Sequence, residues 1–159
     1  MKAMLLPALL SLALATDSPA QTCREVERDA SGRIVQTIDR QKSAGGTVQT
    51  TTRDASGRVI GTATTNPNAG GSAQTHYRDA SGRLTGTATT HPTAGASSHT
   101  TYRDASGRLT GSQTTNASPS GSFTGTQRDA SGRLTGGSAG IRKCQGTAVV
   151  PAPPSGAKK

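Results

Sequence analysis

Ten of the thirteen arginines in this 159-residue chain sit in one hexapeptide, Arg-Asp-Ala-Ser-Gly-Arg, which occurs five times without a substitution. The copies begin at Arg28, Arg53, Arg78, Arg103 and Arg128 and end at Arg33, Arg58, Arg83, Arg108 and Arg133, always 25 residues apart. A guanidinium presents a planar fork of donors that matches carboxylate, sulfate or phosphate oxygens two at a time. Five such pairs in register therefore point to an anion-binding rim. The same residues allow a second reading, a ladder of Arg–Asp pairs knitting neighbouring loops together. Asp29, Asp54, Asp79, Asp104 and Asp129 suit turn formation better than calcium binding. Calcium takes several oxygen ligands, and each copy offers one carboxylate beside two cations. No metal or cofactor site is expected. The three histidines, His76, His91 and His99, fall at unrelated repeat positions. No nucleophile–base arrangement stands out, so the reading is of a non-catalytic protein.

Such residues need elements to place them. After each hexapeptide comes an aliphatic residue: Ile34, Val59, Leu84, Leu109 or Leu134. Gly61, Gly86, Gly111 and Gly136 follow two positions later, then Thr-rich stretches of strand-forming composition. Breaker runs such as Asn66-Pro67-Asn68-Ala69-Gly70-Gly71 separate the units. Each unit thus reads as strand, tight loop, strand, longer loop. A four-residue loop, Asp-Ala-Ser-Gly, closed by the two arginines is expected, because it sets Tyr77 opposite Leu84 and Tyr102 opposite Leu109. Tyr102, Thr100, Ser98, Leu109, Gly111 and Gln113 then share the core face; Arg108, Thr110, Ser112 and Thr114 take the other. Regular threonine rows also resemble an ice-binding hydroxyl array, though Ser112, Gly137 and Ala139 break them.

Aromatics make up 2% of the chain and Trp is absent, so a conventional core is not available. Residues 1–20 read as a signal peptide: Lys2, the apolar run from Met4 to Ala15, then Ser18-Pro19-Ala20 before the cut, with a cut after Ala15 as the alternative. Export to the periplasm or beyond is expected, and the processed chain has no bilayer-spanning helix. Losing Lys2 and Asp17 leaves the net charge at +9. Cys23 and Cys144 flank the repeats, and in an oxidising compartment they are expected to pair. Closing a loop of roughly 120 residues stabilises by about 4–5 kcal/mol in the chain-entropy model. Five hairpins in an open sheet would hold those cysteines roughly 40 Å apart at the usual strand spacing. The expected fold is therefore all-β: five tandem antiparallel hairpins over residues 21–147 in a closed or nearly closed ring or barrel, with an open spiral sheet as the alternative. Residues 148–159 read as a flexible Pro-rich basic tail.

Asp79 to Leu84, with Tyr77 two positions before the Asp, resembles the YD repeats of RHS and teneurin-type proteins, with Arg78 in place of the Tyr next to Asp. That resemblance covers residues 23–147. It implies a β-hairpin fold of the kind that builds long spiral sheets, used as toxin shells or adhesion modules. Five units are too few to enclose a cargo. The partners expected are anionic polysaccharide or lipid headgroups. Nucleic acid is disfavoured by export and by the scarcity of stacking aromatics. A structural or adhesive element, with hairpins pairing to each other or to a partner, is the alternative function.

Overall fold

The computed structural model of the protein describes residues 21–141 apart from Ala30, Pro119 and Gly121. Ten strands follow one another: β1 (Gln21–Arg28), β2 (Ile34–Lys42), β3 (Val48–Asp54), β4 (Val59–Pro67), β5 (Ala73–Asp79), β6 (Leu84–Pro92), β7 (Ser98–Asp104), β8 (Leu109–Ala117), β9 (Ser122–Asp129) and β10 (Leu134–Ile141). One 3-10 turn, Ala69–Gly71, lies between β4 and β5. Every strand pairs antiparallel with its chain neighbour, in a single sheet ordered β1 to β10. The expectation of five β-hairpin units is met.

The loop and its register differ from expectation. The Asp79 amide donates to the Arg83 carbonyl at 3.0 Å, and the Gly82 amide donates to the Asp79 carbonyl at 3.0 Å. The loop is thus three residues, Ala-Ser-Gly, closed by Asp and Arg and not by the two arginines. Gly82 takes φ +83°, the left-handed conformation that returns the chain. Beyond it Arg78 faces Leu84 and Tyr77 faces Gly86, so Thr85 is one residue too many. Similar bulges leave Val35, Ile60, Thr110 and Thr135 unmatched. The expected Tyr77–Leu84 and Tyr102–Leu109 pairs are corrected to Tyr77–Gly86 and Tyr102–Gly111. A bulge reverses the in–out phase of every residue before it, which strict alternation does not anticipate.

The bulge also explains the core. Tyr77 lies in one row between Ala63 and Gly86, and Tyr102 between Ala88 and Gly111. Each ring is flanked by small residues, and Ala63, Tyr77, Ala88 and Tyr102 form the buried cluster. The Tyr102 hydroxyl donates to Gln113 Oε1 at 3.1 Å. Thr65 and Thr75, and Thr90 and Thr100, join their hydroxyls at 2.8 and 2.9 Å. Hydroxyl pairs thus satisfy on the inner face what apolar bulk does not supply. In the first unit the inner face holds a charge instead: buried Arg40 donates to Glu25 Oε2 at 2.8 Å. No second layer covers this face among the described elements.

Gln49, His76 and Arg103 occupy one row across β3 to β7. Their spacing of 27 against a repeat of 25 moves each row two residues toward the Asp-Ala-Ser-Gly loops with every unit. The strands are therefore tilted relative to the line of loops. Among the described residues β1 and β10 form no ladder with each other. The closed ring is thus replaced by its alternative, the open sheet. A covalent link ties two points and does not by itself align two strand edges. β10 also brings Gly136, Gly137 and Gly140 to its edge, a poor basis for a ladder. Cys144 and the tail 148–159 lie outside the described residues, as do residues 1–20. No helix among the described residues is long and apolar enough to cross a membrane.

Candidate anion-binding rim

Antiparallel order puts the five Arg-Asp-Ala-Ser-Gly-Arg loops at one end of the sheet. Strands about 4.8 Å apart and a two-residue stagger set successive loops roughly 12 Å from each other. Within each loop one carboxylate oxygen collects three hydrogen bonds. Asp79 Oδ1 accepts from the Ser81 amide at 2.9 Å, the Ser81 hydroxyl at 2.6 Å and the Arg83 amide at 3.0 Å. The same three bonds recur at Asp29, Asp54, Asp104 and Asp129. They favour the ionised form, the serine hydroxyl most of all, and hold these carboxyls below their ordinary pKa.

The two arginines of the hexapeptide part company here. The first folds over its own loop: Arg28, Arg53, Arg78, Arg103 and Arg128 each donate from Nη1 to the carbonyl of the loop glycine, at 2.8–3.0 Å. The second, Arg33, Arg58, Arg83, Arg108 or Arg133, uses its backbone in the loop and nothing else. Its side chain is exposed and makes no hydrogen bond or ion pair to another described residue. It contributes charge near its own Asp, as at Asp79, where Arg83 is one of the causes that lower the carboxyl pKa.

No Arg–Asp ladder joins the loops. Among the described residues the ion pairs are Arg24–Asp39 at 2.6 Å, Arg40–Glu25 at 2.8 Å and a long Arg53–Asp39 contact at 3.8 Å. None links one hexapeptide to the next. With loops roughly 12 Å apart, each hexapeptide Asp is held by the Ser and Arg of its own loop and pairs with no neighbour's arginine. A shallow groove separates the second and third loops, with Asp54, Arg58 and Ile60 on one side and Asp79 and Ser81 on the other.

The aliphatic residues beside these arginines were missed as part of the site. Of the expected aliphatic positions, Ile34, Leu109 and Leu134 lie exposed at the rim and Val59 is half-buried, while Val35 and Ile60, one residue further on, are exposed as well, the five exposed residues at 41–66%. Leu84 is half-buried. The signal was present in the sequence at Gly86 and Gly111, two places after Leu84 and Leu109, since the facing Tyr77 and Tyr102 need a small partner. No protein-family model matches the chain, and no curated protein matches it.

Proposed function

We propose that this chain is a non-catalytic binding module, acting outside the cytoplasm, that holds an anionic ligand or surface along the rim of loop arginines. One observation carries the reading. The second arginine is kept in all five units, yet its guanidinium forms no hydrogen bond or ion pair with another described residue. Each loop has two cations against one carboxylate that stays ionised, so the rim is positive throughout the neutral range. Export with removal of residues 1–20 and a Cys23–Cys144 bond belong to the same reading. Intact mass and non-reducing peptide mapping of the exported protein test these two points. Kinship with YD repeats is proposed on the hairpin placement of Gly82-Arg83-Leu84 and on the open sheet.

The test is binding of the chain to heparin, a sulfated polyanion, and to anionic lipid across a salt series. Salt-sensitive binding is expected, and it should disappear when Arg33, Arg58, Arg83, Arg108 and Arg133 are all replaced by Gln. No salt-sensitive binding to any polyanion would remove the reading. An assembly role is the second reading, favoured by the edge of β10, where no charge stands between Leu134 and Ile141. It predicts concentration-dependent association in sizing experiments.

A further inference from the structure

We infer that the anionic partner is a lipid bilayer, and that the aliphatic residues beside the second arginines enter its headgroup–acyl boundary. This rests on the rim reading and adds the partner to it. The chain has few large apolar side chains after residue 20, and the buried apolar residues among those described are Val48, Ala63, Ala88 and two tyrosines. Even so, Ile34 and Val35, Ile60, Leu109 and Leu134 stand 41%, 46%, 47%, 43% and 66% exposed. Each lies one or two residues after Arg33, Arg58, Arg108 or Arg133. Topology sets all of them at the same end of the sheet. Four of the five units therefore present an unpartnered cation with an exposed aliphatic residue next to it.

That combination selects among polyanions. A sulfated or carboxylated polysaccharide takes the arginines and has no use for the aliphatic residues. Single-stranded nucleic acid would ask for aromatic side chains to stack on, and the rim has none. An anionic bilayer takes both, phosphate oxygens on the guanidinium forks and aliphatic side chains in the apolar boundary below them. The arrangement also suits reversible attachment. The aliphatic residues are short and spaced along a line, and the arginines beside them are drawn to a negative leaflet at a strength that salt tunes.

The experiment uses the whole exported chain with vesicles of phosphatidylcholine alone or with phosphatidylglycerol added. Co-flotation with the anionic vesicles and not with the neutral ones is expected. A variant carrying Ile34→Ser, Ile60→Ser, Leu109→Ser and Leu134→Ser should keep its heparin affinity and lose vesicle affinity by more than about tenfold. Leu109→Trp gives an independent readout, because the chain has no other Trp. Its emission should shift to the blue on adding anionic vesicles. If the serine variant floats as well as the parent, or the Trp emission does not move, the bilayer inference falls and the rim reading stands. If neither vesicles nor heparin bind, both fall. Binding to heparin alone assigns the rim to a polysaccharide and overturns the bilayer.

Discussion

The two ends of the sheet close their loops with the same backbone bond and fill them with different residues. At the hexapeptide end every loop closes with an Asp amide on an Arg carbonyl. At the far end Ser43 closes on Thr47, Asn68 on Ser72, Thr93 on Ser97 and Ser118 on Ser122, with the same residue spacing and distances of 2.8–3.0 Å. Ser43–Thr47 even repeats the inner bond, from the Gly46 amide to the Ser43 carbonyl at 3.0 Å. The backbone therefore accepts many sequences in this turn. Five identical copies at one end, against four different solutions at the other, need a reason beyond turn closure. The Asp and Ser network and the first arginine explain part of it, because they stiffen the loop. They leave the second arginine unexplained, and that residue is what the functional proposal takes up.

A second difference separates the ends. Each hairpin has its bulge beside the hexapeptide loop, and no register shift occurs in the pairings around the far loops. The bulge kinks the strand and brings the next unit's backbone close to the glycine that follows. A Cβ on Gly86 would lie 2.6 Å from the Arg103 carbonyl oxygen, Gly111 meets Arg128 in the same way, and Gly61 has 3.1 Å to the Arg78 carbonyl. Gly136 ends the series and would meet only the end of the Gln127 side chain, at 3.8 Å. The largest effect is expected here. Gly86→Ala should destabilise by about 1–3 kcal/mol through overpacking, Gly61→Ala by less, and Gly136→Ala by almost nothing. Chemical denaturation of the three variants checks the order. Equal losses would mean that the glycines serve strand flexibility and not the close approach.

Equality between the ends is tested next. Gly82 and Gly95 both sit at positive φ, +83° and +74°, with open space around them. Alanine at either should cost on the order of 1–2 kcal/mol, from backbone strain alone. Gly82 is the third residue of its loop and Gly95 the second of its own, so matching losses in thermal unfolding would show that each cost is set by local backbone conformation and not by the surrounding side chains. A much larger loss at Gly82 would show that the hexapeptide loop carries backbone strain of its own.

A smaller effect is expected in acid, and at one end only. The hexapeptide carboxyls titrate below their ordinary value of 3.8. Their folded pKa is depressed, so their contribution to stability is present above about pH 4 and fades as pH falls through the folded pKa. The far loops described have no carboxylate. Melting temperature should be level from neutral pH down to about 4 and then decline. Replacing Ser31, Ser56, Ser81, Ser106 and Ser131 with Ala removes the largest cause of the shift and should flatten that decline. An unchanged decline in the serine variant would assign it to other groups.

Much of this was legible before the structure. The 25-residue period, the hairpin in each unit, the Asp turn and the returning glycine are local chemistry, read from side-chain type and position. The loop length was misread because alternation was carried straight through Thr85 and Thr110. One extra residue moves the partner of Tyr102 from Leu109 to Gly111 and turns Leu109 off the inner face, while Gly111 and Gln113 keep the face expected of them, and neither threonine announces that by composition. Reading the glycines as partners of Tyr77 and Tyr102 would have exposed the bulge, since an aromatic ring across a sheet needs a small neighbour as readily as a large one. Arg40 takes the repeat position of the inward-facing Thr65 and Thr115, so its phase was in the period. Its partner Glu25, diagonal to it on β1, is a pairing between strands that no run of residues displays. The division of labour between the two arginines was equally hidden, as both flank the loop symmetrically in sequence.

The smallest effect on stability is expected at that division, and it is the most informative. Arg78→Gln removes the bond from Arg78 to the Gly82 carbonyl and should lower the melting temperature slightly. Arg83→Gln removes no hydrogen bond or ion pair and takes away only a charge near Asp79, so its loss should be smaller still. Binding should separate the pair differently. Arg83→Gln takes away an unengaged cation, so its loss of polyanion affinity should equal or exceed that of Arg78→Gln. The salt slope of binding should fall by a similar step in both, because each removes one charge from the rim. Measuring melting temperature and salt-dependent affinity on the same two proteins gives four values, and the proposed roles require the stability order to differ from the affinity order. A stability loss in Arg83→Gln as large as in Arg78→Gln would mean that the second arginine is a structural element of the loop. The five-fold retention of Arg33, Arg58, Arg83, Arg108 and Arg133 would then need no ligand.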